Sequence, residues 1–210
     1  MQIAIIGTGN VGAAIARGLT GKGHDVVLGT RNAEGAETKE LAAEVGAATA
    51  TQADAAASAE MVFLALPWSA AEAAVAALGD LTDKIVVDCT NPLGMVDGAL
   101  GLVLGHDTSG GELVQGWLPG AKVVKSLNQV GAEMMSHNAG MEQRPVMFTA
   151  GNDDAAKQAV AGVLGDLGFD AHDAGDITKS RLLEPFAMVW INQALLRGKG
   201  RTWAFAAVDA

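Results

Sequence analysis

The stretch Gly7-Thr8-Gly9-Asn10-Val11-Gly12 follows five residues of β type, Gln2 to Ile6, and opens a segment with Val11, Ile15 and Leu19 at helical spacing. A G-x-G-x-x-G run held between a strand and a helix leaves few folds open. Gly7 permits the tight turn, Gly9 lets the backbone approach a pyrophosphate, and Gly12 lets the helix pack closely on the strand. The helix N-terminus then supplies N–H donors for an anion. In a chain with 27 glycines the spacing alone decides little. Its place, directly after the first strand, is what makes it a dinucleotide fingerprint.

A site for NAD usually carries an acid about 20 residues further on, where it accepts a bond from the ribose 2′-hydroxyl. Here the second strand, Asp25 to Thr30, runs into Thr30-Arg31-Asn32 with no acid at its end. A hydroxyl followed by a guanidinium binds a 2′-phosphate that a carboxylate would repel. The expected cofactor is therefore NADP, with Thr30 and Arg31 on its phosphate. Lys39, on the following helix, either adds charge there or turns to solvent.

The pattern continues as strand and helix in alternation. Ala36 to Val45 reads as a helix, Ala47 to Thr49 as a strand and Ala53 to Ser58 as a helix. Met61 to Leu66 and Lys84 to Cys89 read as strands on either side of an Ala-rich helix, Ala70 to Leu78. These strands are apolar without strict alternation, as in a parallel sheet covered on both faces. The expected fold is α/β, a doubly wound and mostly parallel Rossmann sheet with a small C-terminal helical and strand extension. Pro67 and Trp68 end the fourth strand, and Thr90, Asn91 and Pro92 end the fifth, so all five are expected at the sheet's ligand edge. Trp68 either walls a ligand or packs; Asn91 and Pro92 either meet a ligand or form a turn.

Asn91 to Gly110 is rich in Gly, Asp and small residues and reads as a substrate-facing loop. Ala121 to Asn128, Arg144 to Gly151 and Phe169 to Asp173 read as further strands, with a helix from near Asp153. Lys125 and Asn128 either polarise a carbonyl or serve as surface and strand-capping groups. Thr178 to Leu196 reads as a helix that is apolar around most of its circumference, which calls for burial on several sides. Two parts are expected: an NADP-binding Rossmann domain over 1–150, and a small subdomain over 151–210 whose apolar helix either makes a homodimer contact or is buried in its own subunit's core.

Composition narrows the function. A net charge of -10 makes nucleic acid and anionic membrane poor partners. No apolar run approaches the ~18 residues of a transmembrane helix, and the one cysteine, Cys89, and the lack of a leader pattern point to the cytoplasm. With no tyrosine in the chain, the Tyr-x-x-x-Lys arrangement of short-chain dehydrogenases is excluded. His24, His106, His137 and His172 make no i, i+4 pair, so no metal is expected. No catalytic acid or base stands out. A bound hydride carrier with so little acid–base machinery suits a partner that is itself a redox ring, where proximity supplies most of the rate.

The segments "MQIAIIGTGNVGAAIARGL", "VVLGTRN", "VFLALPW", "VVDCTNPLG", "SGGELVQGWLPGAKVVKSLNQVG", "MFTAGND" and "DAGDITKSRLLEPFAMVWINQAL" occur in that order. Together they resemble the F420-dependent NADP reductase family over nearly the whole chain. The resemblance implies direct hydride exchange between NADP and the deazaflavin coenzyme F420, and a C-terminal part that helps dimerise. It also implies that Thr8, Gly9, Asn10 and Val11 line the pyrophosphate, and that Ala65, Leu66 and Pro67 lie near the nicotinamide ribose. The residues alone also allow an NADPH-dependent reductase of another small acceptor, whether imine, carbonyl, flavin or ferric chelate, and a non-catalytic NADP sensor.

Overall fold

The structure, a computed structural model, describes residues 1–138 and 140–208. In chain order the elements are β1 (Gln2–Ile6), α1 (Asn10–Leu19), β2 (Asp25–Thr30), α2 (Ala36–Val45), β3 (Ala48–Thr51), α3 (Gln52–Ser58), β4 (Met61–Leu64), α4 (Trp68–Ala76) and β5 (Ile85–Asp88). Then come β6 (Leu93–Val96), β7 (Ala99–Leu102), α5 (Gly110–Trp117), β8 (Lys122–Lys125), α6 (Ala132–Ser136), β9 (Val146–Gly151), α7 (Asp154–Asp166), β10 (Asp170–Gly175) and α8 (Ser180–Ile191). A 3-10 turn, Ile177–Lys179, leads into α8, and a π-helical turn, Asn192–Leu196, ends it.

Strands β3-β2-β1-β4-β5-β8 are parallel neighbours, the doubly wound order, and β9 and β10 extend the same sheet. β9 runs antiparallel to β8, and β10 parallel to β9. Alternate residues of each strand feed two separate cores. Ile3, Ile5, Met61, Phe63, Val87 and Val124 meet α1, α2, α6 and α7 on one face. Ala4, Ile6, Val62, Leu64, Val86 and Val123 meet α3, α4 and α5 on the other. Both sides of the pleat are therefore apolar, which is why the strands read as unbroken apolar runs.

Three expectations change. The segment after Asn91 is no open loop: β6 and β7 pair as an antiparallel hairpin across Asp97-Gly98, with φ values of +51° and +81°. Helix α5, absent from the sequence reading, opens on Ser109 as its N-cap. Ser109 Oγ accepts from Glu112 N at 3.2 Å and donates to Glu112 Oε2 at 2.6 Å. The tail helix is buried on one side only. Trp190, Ile191 and Ala194 pack on Leu93 and Leu100 of the hairpin and on Trp203 and Phe205 of the returning tail. Leu182, Val189 and Leu196, seven residues apart in turn, stay 63%, 52% and 59% exposed. No helix among the described residues is long and apolar enough to cross a membrane.

Candidate functional site

Parallel pairing brings the ends of five strands to one level. Ile6 pairs with Gly29 and Leu64, Leu64 with Asp88, and Asp88 with Lys125. The residues that follow, Gly7, Thr30, Ala65, Cys89 and Ser126, therefore share the carboxyl edge where ligands of such sheets bind. Gly7 N donates to Gly29 O at 2.9 Å and Ala65 N to Ile6 O at 3.0 Å, which ties the glycine loop to both neighbouring strand ends.

The three glycines answer to three different constraints. Gly7 turns with φ +105°, and a Cβ there would stand 2.4 Å from Ala65 O. A Cβ on Gly12 would stand 1.9 Å from Gly7 O, so α1 can sit this close to β1 only with glycine there. Gly9 has an ordinary φ of −73°, and its Cβ would meet nothing within 4 Å. It caps α1 with no side-chain hydrogen bond, so the helix start faces an open cradle with N–H groups for an anion. Thr8 and Asn10 flank that cradle. A cleft of about 960 Å³ continues from them along α1 to Arg17, with Glu133 and His137 on its far wall. Val11 turns partly inward against the core.

At the end of β2, Thr30 is half-buried and Arg31 exposed. Thr30 Oγ1 accepts from Asn32 N at 3.4 Å, and Arg31 has no ion pair or side-chain hydrogen bond among the described residues. Its guanidinium is available to a ligand. The charge of Lys39 is already matched: its Nζ lies 2.6 Å from Glu34 Oε2, and that pairing holds the Glu34 carboxyl below its ordinary range. Lys39 is more than half exposed there.

The ends of β4 and β5 are less uniform. Ala65, Leu66 and Pro67 lie beside the glycine loop, with Leu66 Cδ2 3.1 Å from a Cβ on Gly7. Trp68 stacks on Trp117 at 5.5 Å and packs against Gly110, filling the seam between α4 and α5. Asn91 has its side chain committed: Nδ2 donates to Asn128 O at 2.8 Å, and Oδ1 accepts from Asn128 Nδ2 at 3.0 Å. Pro92 is buried and its carbonyl accepts from Val103 N at 2.8 Å, closing the base of the hairpin. Cys89 is no reactive thiol: burial pushes its pKa well up, and the charge of Asp88 adds to the shift.

Beneath this edge Lys125 has two buried partners that sequence reasoning missed. Lys125 is no surface or capping residue; it is fully buried. Its Nζ stands 2.7 Å from Asp88 Oδ2 and 2.9 Å from Glu184 Oε1, and donates to Thr90 O at 2.8 Å. Burial works against the ammonium, but Asp88 and Glu184 outweigh it and raise the pKa above the ordinary lysine value. Asp88 Oδ1 accepts from Thr90 N at 2.9 Å and from Thr90 Oγ1 at 2.7 Å. Glu184 also accepts from Gly110 N and Gly111 N, each at 3.0 Å, at the positive start of α5. Outside the buried cluster, Arg181 makes a two-pronged bond to Glu112 at 2.6 and 2.8 Å. The signal was present in "SGGE" and "RLLE" but needed the pairing of α5 with α8 to be read.

Known proteins resemble this chain in sequence and in fold. The profile of a family described as NADP oxidoreductase coenzyme F420-dependent matches residues 2–92. A crystal structure from Arthrobacter sp. FB24, provisionally named an F420 dependent NADP-reductase, is 37% identical, covers 100% of both chains and superposes with a TM-score of 0.88. The F420-dependent NADP reductase of Methanothermobacter thermautotrophicus is 27% identical over 205 residues, 91% of this chain and 88% of that one. Rat metalloreductase STEAP3 is 27% identical over 183 residues, 87% of this chain; the match spans only 36% of that protein.

Proposed function

This chain belongs to the F420-dependent NADP oxidoreductase family and is an NADP-dependent oxidoreductase; on that premise we propose that it carries a hydride between NADP and coenzyme F420. The observation that carries the reading is the character of the carboxyl edge. Gly7–Val11, Thr30–Asn32, Ala65–Trp68, Cys89–Pro92 and Ser126–Asn128 contain one charged side chain, Arg31, and no Asp, Glu, His, Lys or Tyr. Bound NADPH supplies the hydride. The chain's part is to bind, orient and exclude water.

In this reading the N–H groups at the start of α1, with Thr8, Asn10 and Val11, hold the pyrophosphate over Gly9. Thr30 and Arg31 hold the 2′-phosphate, with Lys39 beyond it. Ala65, Leu66 and Pro67 shape the seat of the nicotinamide ribose, and Trp68, Asn91 and Pro92 close its far side. An imine or carbonyl acceptor needs a positioned acid, whereas a deazaflavin ring takes its proton from solvent. The test is direct: purified protein with NADPH and oxidised F420 is expected to bleach both chromophores in equal amounts. NADPH binding without F420 reduction would remove this reading. The likeness to the rat metalloreductase favours a second acceptor, a ferric chelate, which the same assay measures with F420 left out.

The exposed stripe of Leu182, Val189 and Leu196 belongs, in the same proposal, to a homodimer contact presented by the subdomain over 151–210. Sedimentation is expected to give twice the 21.3 kDa chain mass; the single mass would remove the contact.

Cofactor choice is tested separately. Arg31→Ala is expected to raise the NADPH dissociation constant tenfold to a hundredfold, from loss of a charged hydrogen bond of about 1.5–3 kcal/mol. The NADH constant should stay within about twofold. Equal losses for both would contradict the phosphate role.

A further inference from the structure

We propose that Lys125 and Asn128 are positioning residues that fix Thr90, Asn91 and Pro92 against the nicotinamide end of the site. The inference rests on the carboxyl edge being the NADP site. Two independent grips meet on this segment. From below, Lys125 Nζ holds Thr90 O at 2.8 Å while Asp88 Oδ1 holds Thr90 N and its hydroxyl. From the side, Asn128 exchanges two hydrogen bonds with Asn91, at 2.8 and 3.0 Å.

The second grip is itself braced. Asn128 Nδ2 reaches Leu183 O at 3.3 Å on α8, and its Oδ1 accepts from Gln129 Nε2 at 2.9 Å. Gln129 in turn pairs with the backbone of Phe148 through both ends of its amide, each at 3.0 Å. Between Lys125 and Asn128, the buried Leu127 is held at φ +59°, in the left-handed region that a leucine enters only when its surroundings compel it. Strain of this kind is retained where geometry matters more than local ease.

Stability does not require such an arrangement. A buried ammonium between two carboxylates is commonly no better than well-packed apolar side chains of the same volume. An apolar side chain, however, could not hold the Thr90 carbonyl. Since a displacement of about 1 Å at a reacting centre can cost on the order of a hundredfold in rate, the grip has a kinetic use.

The test uses the full-length protein with Asn128→Ala, and with Asp88→Asn and Lys125→Met combined. The pair removes one charge of each sign and leaves Glu184 on its two N–H donors. Amide exchange at Thr90 and Asn91, measured without ligand, is expected to accelerate at least tenfold in both variants. NADPH dissociation constants should stay within about threefold, because the pyrophosphate and 2′-phosphate seats are untouched. The fluorescence enhancement of bound NADPH should fall, and the single-turnover hydride transfer rate should drop by about tenfold to a hundredfold. Unchanged exchange and unchanged NADPH emission in a folded variant would overturn the inference. So would a rate that falls only in step with the folded fraction. Wild-type protein that bound NADPH but reduced no F420 would overturn the proposed acceptor and leave this inference to the exchange and emission measurements.

Discussion

Gly12→Ala is expected to damage the fold, and Gly9→Ala only the ligand. At Gly12 the added carbon would stand 1.9 Å from Gly7 O, and neither partner can turn away because both are backbone. Helix α1 must back off β1, along a contact that buries Ala13, Ile15, Ala16 and Leu19. Overpacking of this severity costs roughly 3 kcal/mol, which for a chain of this size lowers the melting temperature by roughly 6 to 12 °C. At Gly9 the backbone is compatible with alanine and the space is empty. Its melting temperature should stay within about 2 °C of wild type by the same scale. Its methyl group, however, would occupy the cradle between the helix N–H groups and the pyrophosphate. The NADPH dissociation constant should rise tenfold or more, on the order of one charged hydrogen bond or greater. Thermal denaturation and a fluorescence titration separate the two. Equal destabilisation by both substitutions would contradict the division of labour, as would normal NADPH binding by Gly9→Ala.

The second large effect belongs to Lys125→Met, made alone. Removing the ammonium leaves Asp88 and Glu184 buried at 0% and 1% exposure with no counter-charge between them. Breaking a buried ion cluster from one side costs about 3–5 kcal/mol. The pH dependence is as diagnostic as the size. In the wild-type protein the raised pKa of Lys125 makes its contribution complete below the ordinary value of 10.5. That contribution is lost as pH rises through the folded-state value. Urea denaturation should therefore show the full deficit of the variant at pH 8 and a smaller one as the pH is raised above 10.5, where the wild-type contribution fades. A deficit that stays the same across that range would mean that the Lys125 ammonium does not carry the stabilisation.

The contrast between these two predictions measures how much was readable beforehand. The tight turn at Gly7 and the close helix packing at Gly12 come from local geometry, since each acts within a few residues of itself, and the structure leaves no room for a side chain at either and open space at Gly9. The place of Thr30 and Arg31 was legible for the same reason: the end of their strand is marked by the apolar run. The partners of Lys125 were not. A lysine at the end of "KVVK" reads either as a group that polarises a carbonyl or as a surface or capping residue, and its burial depends on Asp88, 37 positions earlier, and Glu184, 59 positions later. Asn91 had the opposite fate. Its place at the ligand edge was legible, but its partner Asn128 lies on another strand end, so the use of its side chain was not.

The misread hairpin has a related cause. Leu93–Val96 and Ala99–Leu102 are short and rich in glycine, too weak in pattern to announce strands, and they are held by packing on α8 and the tail rather than by their own propensity. Helix α8 shows the limit of composition. Its apolar circumference predicts burial on several sides, yet one chain covers one side of it.

What the amino-acid sequence determined by itself is the doubly wound sheet, the glycine cradle at its carboxyl edge and the absence of an acid where a 2′-phosphate would lie. These follow from periodicity and from groups close together along the chain. Only the tertiary structure decided which polar groups at that edge are free and which are already used. Hydrogen bonds and buried charges are satisfied between residues remote in sequence, and no spacing along the chain records those pairings.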